Sequence, residues 1–191
     1  MELSSKDRIP TWKDELGPAY ALGAGAAAPS MTVLTGSTFV RGMTFGPGDR
    51  ADVVVQFNHD VLIGSTSAGV TAFAPHVHYT FVDNPTAGNT VRWKFSYMGA
   101  KPSLDGSAAF ASTLSTISST RHVLTSTEIR KHYLSPLTDI SVPNTSYGHS
   151  FVLWGTLELS TLSTIAAGKV ALLAFDIHKP TRTRGSATEY E

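Results

Sequence analysis

Two short pairs of residues hold the donor atoms most capable of chemistry in this chain: His76-x-His78 and Asp176-x-His178. On a β-strand, residues two apart project to the same face, so each pair presents both side chains together. If the two strands are neighbours, three imidazoles and one carboxylate converge, a donor set that suits zinc, iron or manganese. The commoner use of such residues is plainer. Neutral imidazoles on a strand face serve as half-buried hydrogen-bonding groups, and a His-x-His spacing arises readily by chance. The expectation is a structural role for His76, His78, Asp176 and His178, with no metal, no cofactor and no catalytic residue.

Other chemistries have less support. A cupin-like metal enzyme would show a glycine and glutamate pattern around its histidines, and that pattern is missing. Ser150 follows His149, but adjacent strand residues point to opposite faces and cannot pair. There is no Gly-x-Ser-x-Gly elbow, and the carboxylates are too scattered to name a glycosidase pair. Trp93, Phe95 and Tyr97 at strict period two are a candidate sugar- or base-stacking platform, yet that spacing more often supplies half of a sandwich core. Trp154 has the same ambiguity. Asn144-Thr145-Ser146 matches a glycosylation sequon, which without a secretory signal reads as a loop.

These residues need elements to position them, and the hydrophobic pattern supplies mostly strands. Val53, Val55 and Phe57 alternate with Asp52, Val54 and Gln56. Val77, Tyr79 and Phe81 oppose His76, His78, Thr80 and Val82. The turn formers Asp83 to Asn89 then lead into Val91, Trp93, Phe95 and Tyr97, which predicts that the two flanking strands pair as an antiparallel hairpin. Leu153, Leu157 and Leu159 share one face of a later run with Phe151. Lys169 to His178, apolar on both faces up to Asp176, reads as a central strand ended by Pro180. Gly46-Pro47-Gly48-Asp49 is a turn without the Gly-Lys-Ser/Thr ending of a phosphate loop. Two short helical turns are expected: one at Thr11 to Leu16, with Trp12 and Leu16 as its apolar edge, and one over Ile129 to Leu134 behind a Thr125/Glu128 capping box.

Composition excludes several classes. The 191 residues include 15 basic and 15 acidic side chains, a formal net charge of zero, and no cysteine. Disulfide frameworks, thiolate zinc sites and cysteine nucleophiles are therefore absent. Zero net charge gives no broad field to capture nucleic acid or anionic lipid, so neither is expected as a partner. The polar N-terminus lacks the apolar core of a signal peptide, and the Ala/Gly run from Ala19 to Pro29 is too short to span a bilayer. A soluble protein assembled in a cytoplasm is expected. Charged residues are only 16%, while 44 residues are Ser or Thr, a composition that favours β-structure and turns.

Short strands with frequent turn signals imply an all-β fold, an antiparallel β-sandwich or jelly roll. The expected division is an N-terminal arm or linker over residues 1–30, a sandwich over 31–180 and a polar C-terminal tail over 181–191. Arg182 and Arg184 are a candidate basic contact, but Glu189 and Glu191 offset them, which favours packing on a neighbouring subunit over nucleic-acid binding.

Four segments in order resemble a group of small proteins of tailed bacteriophages: Pro10-Thr11-Trp12-Lys13-Asp14, Pro75-His76-Val77-His78-Tyr79, Val91-Arg92-Trp93-Lys94-Phe95-Ser96-Tyr97, and Phe175-Asp176-Ile177-His178 leading to Arg184-Gly185-Ser186-Ala187-Thr188-Glu189-Tyr190. That group has a PHxHW strand, a VxWxxxY strand and a C-terminal FDIHY…GSxxEY. The middle third of the chain matches weakly. Tyr79 stands where the group has Trp, and Lys179 where it has an aromatic residue. The resemblance implies a β-sandwich virion component without catalysis, with the His pairs as a structural signature. The expected role is a tail fibre or fibre-to-tail adaptor subunit, with a capsid decoration protein next. A carbohydrate-binding sandwich and a cupin-like enzyme are the alternatives from other classes. Partners would be other virion proteins and further copies of the chain, a homotrimer by analogy with threefold fibres. Trp12, Arg182, Arg184 and Tyr190 are the expected contact residues, and the virion is the expected location.

Overall fold

The structure is a computed structural model that describes residues 11–16, 19–20, 29–34, 41–57, 72–100, 110, 113–127, 129–141 and 152–181. Its elements are all strands: β1 (Thr11–Leu16), β2 (Ala19–Tyr20), β3 (Ser30–Val33), β4 (Arg41–Phe45), β5 (Arg50–Gln56), β6 (Ala72–Phe81) and β7 (Thr90–Val91). They continue with β8 (Trp93–Ala100), β9 (Ser115–Ser118), β10 (His122–Val123), β11 (Tyr133–Pro136), β12 (Ile140–Ser141), β13 (Val152–Leu159) and β14 (Val170–Thr181). One sheet runs β11-β6-β14-β4-β3, with β1 added along β14 and β12 along β6; the other runs β2-β5-β13-β8-β9. A two-stranded ribbon joins β7 to β10.

The two sheets face each other as an antiparallel β-sandwich, and aromatic rings from both layers meet between them. Phe95 of one sheet lies 4.7 Å from Phe175 of the other, and Phe45 packs edge-on against Trp93 at 5.2 Å. The alternation in the sequence explains which residues reach this core. Val53, Val55, Trp93, Phe95, Leu153, Leu157, Val77, Tyr79 and Ile177 are buried, while Val54 and Trp154, one residue out of phase, are exposed. β14 is a central strand, as its two-sided apolar run predicts, with β6 on one flank and β4 then β1 on the other. A register shift between Leu172 and Ala174 lets Leu172 and Phe175 both face the core, although they are three residues apart.

Four expectations are corrected, the smallest at the end of β14, which runs through Pro180 to Thr181 because β1 pairs along it, instead of stopping at Pro180. The strands flanking Asp83 to Asn89 do not form a hairpin: β6 lies in one sheet and β8 in the other. Both strands carry a full apolar face, and two such faces bury more by stacking across the core than by lying side by side. The loop crosses between layers, with Gly88 at φ +87° in its turn and Lys169 holding Asp83 at 2.6 Å. That hydrogen bond from Lys169 keeps the Asp83 carboxyl below its ordinary pKa.

Thr11 to Leu16 is a strand, not a helical turn, paired residue by residue with β14 from Thr11↔Thr181 to Leu16↔Asp176. These six residues of the expected arm thus belong to a sheet, as do Ala19–Tyr20 in β2 and Ser30 at the start of β3. The free flank of β14 offers a complete row of backbone partners that an isolated helical turn lacks. Ile129 to Leu134 is likewise not helical. Arg130 has φ +62°, which ends any right-handed helix there, and Tyr133 begins β11. Gly46 to Asp49 forms the expected turn, closed by Asp49 N–H donating to the Gly46 carbonyl at 2.9 Å. Phe151, the sequon at Asn144, His149 and Ser150 lie outside the described residues, as do residues 21–28 of the Ala/Gly run and 182–191 of the tail.

Candidate functional site

The two histidine pairs meet. β6 and β14 are adjacent and antiparallel, and their register sets Asp176 opposite His76, Ala174 opposite His78 and His178 opposite Ala74. The inward residues Val77, Phe175 and Ile177 fill the core, so His76, His78, Asp176 and His178 lie on the face of this sheet turned away from it. The face is not wet. His76 is 1% exposed, Asp176 5% and His178 7%.

His76 Nε2 lies 2.6 Å from Asp176 Oδ1, and His78 Nε2 lies 3.4 Å from Asp176 Oδ2. The rings of His76 and His178 are 4.2 Å apart and steeply inclined. Two further residues join that the sequence did not single out for this site. Asp14 on β1 sits opposite His178 and brings its Oδ1 to 2.5 Å from His178 Nε2. His132, just before β11, reaches the far side of His78, with its Nε2 2.7 Å from His78 Nδ1. The alternation of Trp12, Asp14 and Leu16 was the available signal for Asp14; nothing marked His132.

Electrostatically, Asp176 is a buried carboxylate contacted by imidazoles and, among the described residues, by no lysine or arginine. Burial pushes the His78 pKa below its ordinary value; Asp176 pulls it upward, and His76 and His132 push it further down. The lowered pKa favours the neutral imidazole at His78, whose unprotonated ring nitrogen offers a lone pair to a hydrogen-bond donor or a metal ion. The short His76–Asp176 contact is not aligned as a hydrogen bond, and Asp176 Oδ1 is buried without a hydrogen-bond partner among the described residues.

A second feature occupies the outer face of the other sheet. Trp154 is 50% exposed at the middle of β13, directly opposite Val54 of β5 and Met98 of β8. Phe110 packs edge-on against its indole at 6.1 Å and is itself 40% exposed. A row of apolar side chains thus crosses three strands on a surface facing solvent. Trp93, by contrast, is wholly buried and is no stacking platform. Of the expected contact residues, Trp12 has its backbone opposite Pro180 at the end of β14, and Arg182, Arg184 and Tyr190 lie outside the described residues.

Compared with protein-family models and with curated proteins, the chain finds no match in either.

Proposed function

We propose that this chain is a non-enzymatic building block of a tailed-bacteriophage virion, a tail fibre or fibre-to-tail adaptor subunit that assembles as a homotrimer. The observation that carries the reading is the apolar row Val54–Trp154–Met98 with Phe110, left open on a sandwich poor in charge. Large apolar side chains in one exposed group mark a surface that another protein covers. Zero net charge lets a second copy approach without long-range repulsion. The His pairs, the Trp93 strand and the Asp176 strand are also the segments that resemble phage proteins, and threefold symmetry follows by analogy with fibres.

A carbohydrate site built on Trp154 fits less well. The side chains across from the indole are valine and methionine, where a sugar needs convergent hydrogen-bonding groups to fix its hydroxyls. The histidine cluster is likewise unlike a cupin centre, because it lies outside the core rather than within a barrel. Electron microscopy of particles made without this chain tests the assignment. Particles with intact heads and missing fibres are the expected result. Bare, fragile heads would move the protein to capsid decoration, and unaltered particles would overturn the virion role.

A further inference from the structure

We propose that His76, His78 and Asp176 bind one divalent first-row transition-metal ion, with zinc the best fit, and that His178 and Asp14 flank it to tie strand β1 to the sheet. The potential donor atoms of His76, His78 and Asp176 all lie within 4.8 Å of one another, and those of Asp14, His76 and His178 satisfy the same limit. Around a tetrahedral zinc with bonds of about 2.0–2.1 Å, neighbouring donors stand about 3.3 Å apart. The His78–Asp176 separation of 3.4 Å matches, whereas His76 Nε2 and Asp176 Oδ1, 2.6 Å apart, must separate by about 0.7 Å to admit the ion.

Three observations favour an ion over a hydrogen-bonded network. Asp176 Oδ1 is buried 2.6 Å from His76 Nε2, yet no donor is aligned on it, which leaves its lone pairs open to a cation. Next, His78 has its Nδ1 engaged by His132 at 2.7 Å, which leaves Nε2 on the Asp176 side. Holding one ring nitrogen with a neighbour while the other ligates is the usual support of a metal-bound imidazole. Finally, a cavity of about 270 Å³ opens beside the cluster, lined by Thr80, Phe81, Arg130, His132, Leu34 and Leu173. His132 lines it and touches His78, so the cavity brings solvent to the outer edge of the cluster, although none of the proposed ligands lines it.

The side chains of His76, Asp176 and His178 are all more than nine-tenths buried. A site so enclosed by protein suits a structural ion rather than an open catalytic one. Its mechanical effect follows from topology. β6 and β14 supply the triad, and Asp14 beside His178 brings in β1, so the ion fastens the first described strand to the two strands it must join.

The test uses the untagged 191-residue chain, stripped with EDTA and reloaded with zinc or, in parallel, manganese. About one equivalent of metal per chain is expected by mass spectrometry, with Tm raised by roughly 5–10 °C at a hundredfold excess over Kd. His78→Gln, at a partly exposed position, and Asp176→Asn should each weaken binding at least about 10-fold. His122→Gln, outside the cluster and bonded to Tyr79, should bind as the parent does. Less than about 0.2 equivalents in the folded parent with either metal, or undiminished binding in folded His78→Gln, would overturn the proposal. This outcome is independent of whether the chain belongs to a virion.

Discussion

Gly155→Val is expected to destabilise the protein by at least about 3 kcal/mol and to lower Tm by roughly 6–12 °C. Gly155 sits at the middle of β13, the central strand of its sheet, between Val53 on one side and Tyr97 on the other. It faces the core, where its neighbours leave no room for a side chain. A Cβ there would stand 2.5 Å from the Ser96 carbonyl oxygen and 2.7 and 2.8 Å from two ring carbons of Phe95. The carbonyl is backbone and cannot rotate away. The Phe95 ring is held by stacking on Tyr97 at 5.4 Å and by Phe175 at 4.7 Å across the sandwich. The clash must therefore be relieved by moving a strand, and close-packed interiors resist that. Gly88→Ala provides the contrast: nothing lies within 4 Å, so only its φ of +87° resists the change, at a cost of about 1–2 kcal/mol. Urea unfolding of both variants checks the ranking, and a Gly155→Val variant within 1 kcal/mol of the parent would refute the packing argument.

Trp93→Ala should cost about 3–5 kcal/mol, the range for emptying a large aromatic site in a core. Trp93 is 0% exposed and lies where the layers meet, with Phe45 at 5.2 Å and Tyr79 at 5.9 Å. Its backbone is pinned at the start of β8, where its N–H donates to Ser119 Oγ at 3.0 Å and its carbonyl accepts from Ser119 N–H at 3.0 Å. The surroundings cannot readily collapse into the space left behind. Trp93→Phe should cost less than half as much. It leaves a smaller void, and it removes an indole N–H that is buried without a partner among the described residues. Equal losses for the two variants in thermal or urea unfolding would contradict this account of the site.

What the sequence made legible was local. Period-two patterns identified the faces of β5, β6, β8 and β13, because a strand half-buried in a sandwich must alternate. They could not say which sheet each strand enters. The turn formers between Phe81 and Thr90 signal a change of direction, and a hairpin and a crossing between layers both need one. β1 was hidden for a related reason: six residues holding Trp12, Asp14 and Leu16 satisfy a helical or an extended pattern, and only the unfilled flank of β14 decides between them. The candidate site was half visible. The spacings of His76-x-His78 and Asp176-x-His178 placed each pair on one face, but their meeting depends on the register that puts Asp176 beside His76. His132 arrives from a loop, where no periodicity operates. The exposure of Trp154 was equally hidden, since it is out of phase with the leucines of its own strand yet flanked by Val54 and Met98.

The central claim is that the chain is a subunit whose open apolar face is covered by other copies. Sedimentation equilibrium of the 191-residue chain at micromolar concentration tests it most directly, with Trp154→Ser run alongside. The account predicts a mass about three times the 20.4 kDa of one chain for the parent, and a shift toward that single-chain mass for the exposed, non-core Trp154→Ser. A parent that sediments as a single 20.4 kDa chain, or a Trp154→Ser variant that assembles as the parent does, would contradict it.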